Sequence, residues 1–429
     1  MARLRRLFAL WVGSPAPYLV PVAVLLTLYH QLSASPWLTN QPTWAGASAR
    51  STTILFLAGP LAAGCAAWEM SRLRRAQIAA LAPARSVAVI AAWSALPSFA
   101  LGVVCVLTAL LTAVPMVSGV PGSLDPRPVV IAVLVVAAHT LLGAAAGWLL
   151  SPYLSIPLAL VASYVWHVYP RAIEPLWIRH LTGSTWTDCC EVDEMADPRL
   201  FVATAVVGVS AVASALFLLT HRISWWRGIA AGLALAAGIA FASTQLNAMT
   251  SRPVVAREGQ MVCREGAPTV CVWPESEQLL PVAFPLLQNI ATQLADHGWS
   301  TPPRAAQTLT GDSVTWPIYL VPQMTEPMMR WSVLTGLLPP PPECISLSGS
   351  AAGGVYYGYD AIGPVVAWLW LASGGSADSV PGNSLISSGD VTLAEQVLSL
   401  PQDVQRDWLD RNLAAIGACD VRPDLRPAP

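Results

Sequence analysis

The chain has 429 residues, of which 54% are hydrophobic and only 11% charged, with a mean hydropathy of +0.53 and a formal net charge of −2. A water-soluble domain of ordinary composition carries about a quarter charged residues, so one soluble globule is excluded and long apolar runs in a bilayer are implied. All 23 Lys-plus-Arg positions are arginine; a P-loop sets a lysine on the nucleotide phosphates, so an ordinary Walker A motif is excluded and any ATP-driven function needs its ATPase on another polypeptide.

A window of about 20 residues picks out apolar runs at 17–34, 51–70, 86–117, 129–150, 153–169, 200–220 and 228–249. The third is long enough to tilt, to kink at Pro97, or to begin as an interfacial helix. The fifth is short and starts beside Pro152 and Pro157. Arginines set the orientation. Arg3, Arg5 and Arg6 precede the first run, Arg72, Arg74, Arg75 and Arg85 lie between the second and third, and Arg222 and Arg227 between the sixth and seventh. With the N-terminus in the cytoplasm all of these fall inside, accompanied by one acid, Glu69. The opposite loops carry Arg50, Arg127, Arg171, Arg179 and Arg199 balanced by seven acidic residues. The positive-inside rule therefore selects a cytoplasmic N-terminus, and seven crossings place everything after Met249 outside. A cleaved signal peptide at the first run would leave the same downstream topology.

Cysteine placement is consistent with this topology. Cys65 and Cys105 fall inside apolar runs and read as small apolar side chains. Cys189, Cys190, Cys263, Cys271, Cys344 and Cys419 all fall on the expected outer side, where an even count in an oxidising compartment suggests disulfides. Cys263 and Cys271 flank a turn containing Gly266 and Pro268, so a bridge closing that hairpin is the expected local pair. Cys344 with Cys419 is then the natural long-range pair, and Cys189 and Cys190 form a vicinal bridge or pair elsewhere. Connectivity stays open at this level.

Residues 1–249 thus read as a transmembrane helical domain and 250–429 as an extracytoplasmic, disulfide-containing mixed α/β domain. The latter opposes 17 acids with nine arginines, which disfavours nucleic acid or anionic lipid as its main partner. Its elements read as a hairpin over 261–272, a helix over 277–297, strands over 315–321 and 355–359, a buried core helix over 362–373 and an amphipathic helix over 402–418. Four consecutive prolines, Pro339 to Pro342, mark an extended loop.

No HExxH, GxSxG, paired CxxC or strand-following GxGxxG occurs, so no catalytic residue, cofactor or metal site is expected. Only His297 lies in the C-terminal domain, which excludes a multi-histidine metal site there. His139 sits inside the fourth run, where an ionisable group is a functional candidate by default, set against a neutral imidazole bonded to a neighbouring helix. His167 and His180 flank the outer end of the fifth run and could pair, with solvation at the interface the expected state. Gly143 and Gly147 form a GxxxG pair suited to close helix packing. Trp166, Tyr169, Trp177 and Trp186 crowd the loop between the fifth and sixth runs, as an interfacial belt or around a re-entrant segment.

Six spans with both ends cytoplasmic, a long third span and a partly re-entrant stretch between spans five and six resemble an ABC-2-type exporter permease. The stretches that match are 2–11, as an amphipathic segment on the inner surface, and 68–85, where Gly-Pro-Leu-Ala-Ala-Gly-Cys-Ala-Ala-Trp-Glu leads into Arg-Leu-Arg-Arg. Val270 to Glu275, the Leu-rich helix after it and Trp408 to Cys419 also resemble a region of actinobacterial ABC-2-like permeases, some of them linked to peptidase-like modules. Relatives often carry His at the position of Trp273, and the peptidase zinc motif is absent, so no metal role is carried over. The resemblance implies a separate ABC ATPase subunit docking near Glu69, Arg72, Arg74, Arg75 and Arg85. It also implies a homodimer, or a heterodimer with a second permease, in the cell membrane, the seventh span being an addition that exports the C-terminal domain. The alternative is a non-transporting membrane protein whose external domain binds a ligand or protein partner.

Overall fold

A computed structural model describes residues 13–33, 43–78, 86–173, 175, 177–184, 189–219, 225–247, 249, 253–308, 311–321, 324–340, 342, 356–380 and 386–427. The chain divides into two compact units, Met1–Val255 and Ala256–Pro429.

The first unit is mostly helical, with a short strand over Glu194–Ala196 among its described residues. Its elements are α1 (Ala16–Ser33), α2 (Trp44–Arg50), α3 (Leu55–Arg75), α4 (Val87–Ser94), α5 (Leu96–Ala113), α6 (Pro126–Leu149), α7 (Pro152–Val168), α8 (Pro198–Leu218) and α9 (Trp225–Leu246). Among the described residues five helical stretches are long and apolar enough to cross a bilayer: Trp44–Arg75, Leu96–Val117, Pro126–Leu149, Pro198–Leu218 and Trp225–Leu246. The runs expected at 17–34 and 153–169 are helical as well, as α1 and the 17-residue α7. The run expected at 86–117 is two helices. It breaks at Ala95, and Pro97 then falls in the first turn of α5, where its missing N–H leaves no intrahelical bond unmade.

Helix α3 is the centre of this unit. In the apolar window of Trp44–Arg75 72% of residues are buried, against 22% for α9. It can be central because α6 comes against it without side chains between them: a Cβ on Gly143 would strike the Ala63 carbonyl, and one on Gly147 the Ala67 carbonyl. Close backbone approach through small residues is how membrane helices gain packing where lipid removes the hydrophobic drive. Polar ties reinforce the crossing. Ser71 donates to the Gly147 carbonyl at 3.2 Å and shares a 3.1 Å bond with Ser155 of α7, and Arg74 donates to the Trp148 carbonyl at 2.8 Å.

Helices α6 and α8 start with one device. Asp125 and Asp197 are N-caps, each followed by Pro at the first helical position and then by Arg127 or Arg199. Each carboxylate accepts its arginine's backbone N–H, at 3.0 and 2.8 Å, and the same guanidinium folds back onto it, at 2.8 and 2.6 Å. Cap and counter-charge together stop both helices against orphan N–H groups. Burial works to raise the Asp197 carboxyl, but the hydrogen bonds and charge of Arg199 prevail and hold it below the ordinary carboxylate range. Helix α9 packs along α8, with Ser214 donating to the Ala231 carbonyl at 2.9 Å. The chain leaves the bundle through Pro253, whose carbonyl accepts from the Asp197 N–H at 3.0 Å.

The second unit is α/β. Strands β1 (Val262–Arg264), β2 (Thr269–Val272), β3 (Arg304–Ala306) and β4 (Thr315–Pro317) lie in the order β1-β2-β3-β4, the first pair antiparallel and the next two pairs parallel. Helix α10 (Leu280–Asp296) is the crossover between β2 and β3, entered through a 3-10 turn over Pro274–Leu279. Helices α11 (Glu326–Thr335), α12 (Tyr359–Ala372), α13 (Ser388–Leu398) and α14 (Gln402–Ile416) complete it. The hairpin, the long crossover helix, the buried 362–373 helix and the last helix match the sequence reading. The strand expected at 355–359 does not form in its described part, because Tyr359 is already the first residue of α12 and Tyr357 and Gly358 are in a turn. Val355 lies outside the described residues.

Tryptophans dominate this core. Trp316, Trp368 and Trp408 are fully buried and Trp370 is 1% exposed. Three of them donate an indole N–H to a carbonyl: Trp316 to Val333 at 2.8 Å, Trp370 to Ser376 at 3.0 Å and Trp408 to Leu425 at 3.2 Å. Satisfying that N–H lets the large ring be buried without an orphan donor.

The α3–α6 crossing gives a direct prediction. Gly143→Leu should lower bundle stability by about 2–3 kcal/mol, as overpacking against rigid backbone does. Gly228→Leu on α9, where an added Cβ meets nothing within 4 Å, should stay within about 0.5 kcal/mol of wild type. Thermal unfolding in detergent reads both, and equal midpoints would show that the crossing does not hold the bundle.

Candidate functional site

Helix α6 has α3 on one side and is flanked by α7 and α8. Helix α7 lies against α3 and α6, while α8 lies against α6 and α9. The divergence of these pairs leaves a cavity of about 290 Å3 inside the first unit, floored by α6 and walled by α7, α8 and α9. Among the described lining residues the polar groups are His139, Ser163, Thr204 and the Trp166 indole, and none is Asp, Glu or Arg. Leu158 and Ala162 of α7 line it and are also exposed on the flank of the bundle, so the mouth lies there.

The polar wall is built by α7. Its four buried residues, Ser155, Ala159, Ser163 and His167, recur at four-residue spacing and form one face. Ser163 bonds His139 Nδ1 across to α6 at 2.8 Å, with the donor set by the histidine tautomer. The rings of His139 and His167 lie 4.7 Å apart, tilted by 36°. Neither ring nitrogen of His167 has a hydrogen-bond partner among the described residues. Gly59 of α3 makes room for that ring, since a Cβ there would come within 2.8 Å of His167 Nε2. Thr204 is already committed, donating to the His180 carbonyl at 3.1 Å.

His139 of α6 is therefore hydrogen-bonded to a neighbouring helix, α7, through Ser163. His167 and His180 are not solvated at an interface: they are 1% exposed and fully buried. Ser163 is the residue that sequence reading missed, and His167 was expected at the interface, not on this buried face. Their signal was present, a polar pair at i and i+4 on an otherwise apolar helix.

At the end of α3, Glu69 is buried and accepts from Arg72 at 2.6 Å, while Arg72 also lies 5.2 Å from the Trp68 ring. Arg74 is held on α6, as described above, and Arg75 is exposed. Arg85, the segment 2–11 and His221 with Arg222 lie outside the described residues. Glu69, Arg72 and Arg74 thus fasten the helix end, leaving Arg75 directed to solvent.

Two cysteine pairs are bridged: Cys189 with Cys190, and Cys263 with Cys271, which are register partners on β1 and β2. Cys419 is also disulfide-bonded; Cys344 lies outside the described residues. Cys65 and Cys105 are free and buried.

In the second unit Trp273 is a core anchor. Its backbone N–H donates to Gln307 Oε1 at 2.9 Å and its indole N–H to the Gln307 carbonyl at 3.0 Å. Arg257 lies 4.4 Å over its ring and pairs with Glu275 at 2.8 Å. Gln307 spends its amide on Ser276 and the Leu320 carbonyl, both at 3.0 Å. A separate groove of about 1110 Å3 is lined by aromatic and proline side chains, among them Trp299, Pro303, Pro339, Tyr356 and Tyr359. Its one carboxylate is Asp312, which accepts the N–H groups of Val314 and Thr315 at 2.8 and 2.6 Å. Among the described residues no cluster of three His, Cys, Asp or Glu is placed to hold a metal.

Two measurements test these local arrangements. Ser163→Ala should cost about 1 kcal/mol, the usual worth of an interhelical hydrogen bond in a membrane, seen as a lower thermal midpoint in detergent; an unchanged midpoint would mean the α6–α7 bond contributes nothing. Asp312 is held below the ordinary carboxylate range by those two backbone N–H groups. A depressed folded value gives stability that is complete above the unfolded value of about 3.9 and is lost as pH falls through the folded one. The advantage of wild type over Asp312→Asn should therefore shrink as pH drops below about 4, followed by near-UV circular dichroism. An advantage that grows on acidification would contradict it.

A family model described as a domain of unknown function (DUF7224) matches residues 270–419, which lie within the second unit. No curated protein and no solved structure matches the chain.

Proposed function

We propose that the chain is the membrane permease subunit of an ABC-2-like exporter that works with a separate ATPase. In this reading α1 and α7 join the five long helical stretches as spans, the N-terminus is cytoplasmic, and the second unit is extracytoplasmic. The observation that carries it is the basic end of α3. Arg75 is exposed there, while Glu69–Arg72 and Arg74–Trp148 brace the same turn against its own helix and α6. A partner pressing on that end would move α3 and α6 together, because their backbones touch at Gly143 and Gly147. A basic surface facing a soluble subunit suits an acidic docking patch. Two copies, or one with a second permease, would form the path.

A second reading, a non-transporting protein whose external unit binds a ligand or protein, is favoured by the aromatic and proline groove of the second unit. Purification from native membranes in detergent, with mass spectrometry, separates the two. The exporter reading expects an ATPase carrying a Walker A motif to co-purify, and Arg75→Glu to weaken its retention by about tenfold, the worth of one good charge contact. Absence of any ATPase, or full retention after residues 72–85 are replaced by a Gly/Ser linker, would sink it in favour of the second reading.

A further inference from the structure

We infer that the cavity between α7 and the α8–α9 pair is a binding site for a neutral, single-chain lipid alcohol taken from the surrounding bilayer. Position is the first argument. The cavity is bounded by α6, α8 and α9, three of the helices long and apolar enough to span a membrane, and by the shorter α7, read as a span in the function proposed above; its mouth at Leu158 and Ala162 opens on the flank of α7. The neighbouring exposed residues on that flank, Val161 and Val165, are apolar. What reaches such a mouth is acyl or prenyl chain, since water does not occupy the hydrocarbon region.

Size is the second argument. A cavity of about 290 Å3 is roughly twice the engineered apolar cavity that holds one benzene, and sits at the lower bound of small-molecule sites. It takes a stretch of one chain and a small head, not a two-chain phospholipid.

Chemistry selects the head. With no arginine or acid among the described lining residues, a phosphate, carboxylate or ammonium would find no counter-charge there. A plain alkane would leave His139 unused. Its Nδ1 is taken by Ser163, and no hydrogen bond to its Nε2 is formed among the described residues. That nitrogen is a donor in one tautomer and an acceptor in the other. Hydroxyl is the small neutral group that serves both.

The assignment does not require an ATPase, so failure to recover one leaves it intact, and recovery of one does not establish it. The test uses the full-length chain in lipid nanodiscs and a hexadecanol carrying a mid-chain diazirine. Cross-links should map to Leu158, Val207 and Leu235. Unlabelled hexadecanol should compete about tenfold better than hexadecane or hexadecyl phosphate, as one buried hydrogen bond or one uncompensated charge demands. Ala162→Trp, which plugs the mouth from its exposed side, should abolish labelling. His139→Phe should keep labelling but erase the preference for alcohol over alkane. Labelling indifferent to Ala162→Trp would overturn the site, as mere contact with annular lipid. Equal competition by hexadecane would overturn the choice of alcohol. Both readouts remain open on wild type and Ala162→Trp should His139→Phe fail to fold.

Discussion

The backbone contact between α3 and α6 organises the membrane unit. At Gly143 and Gly147 there is no side chain on α6, so the Ala63 and Ala67 carbonyls of α3 come directly against it. In lipid the helices gain nothing from expelling water, and dispersion at short range together with interhelical hydrogen bonds has to hold them. The Ser71 and Arg74 bonds to Gly147 and Trp148 continue the same seam to the end of α3. The basic helix end and the bundle interior are thus joined along one continuous seam.

The cavity is a consequence of that seam. With α3 occupying one face of α6, the helices α7 and α8 are left to pack on its two remaining flanks. The gap between them exposes His139, midway along α6. Helix α7 answers with Ser163, and Gly59 on α3 makes room for His167 behind it. An imidazole nitrogen left without a partner inside an otherwise apolar pocket is costly in hydrocarbon, which is the ground for the proposed occupant.

Much of this was legible in the residues. Apolar runs located the helices, a kink near Pro97 was one of three readings of the run that breaks at Ala95, and the GxxxG pair foretold the close crossing. His139 stood out because ionisable groups are rare inside such runs. Its partners were harder to see: Ser163 and His167 lie on the run with the weakest length, and only the four-residue spacing of Ser155, Ala159, Ser163 and His167 reveals a face. In the second unit the long periodic helices α10 and α14 were readable, whereas β3, α11 and α13 are short and give little periodic signal. Val355 to Tyr359 carries strand-forming residues, yet the apolar run that follows pulls Tyr359 into α12. Gln307 was invisible for another reason. Its partners at Trp273, Ser276 and Leu320 are distant in sequence, and a lone glutamine announces nothing until the fold collects them.

The second unit needs something beyond its core, and the place is β1. This strand has three residues and pairs only with β2, so its own ladder is short and its other edge is unpaired among the described residues. Such an edge frays, or recruits a foreign strand, unless it is fixed. The bridge between Cys263 and Cys271 joins register partners eight residues apart, and closing a loop of that size removes about 2.5 kcal/mol of unfolded-state freedom in the chain-entropy account. That is comparable to the whole ladder of a three-residue strand at about 1 kcal/mol per hydrogen bond. The matched family region begins at Val270, so it contains Cys271 but not Cys263. The covalent link therefore ties the start of that region to an edge strand that its hydrogen bonds alone hold weakly, and it lets β2 serve as an interior strand from which the α10 crossover can depart.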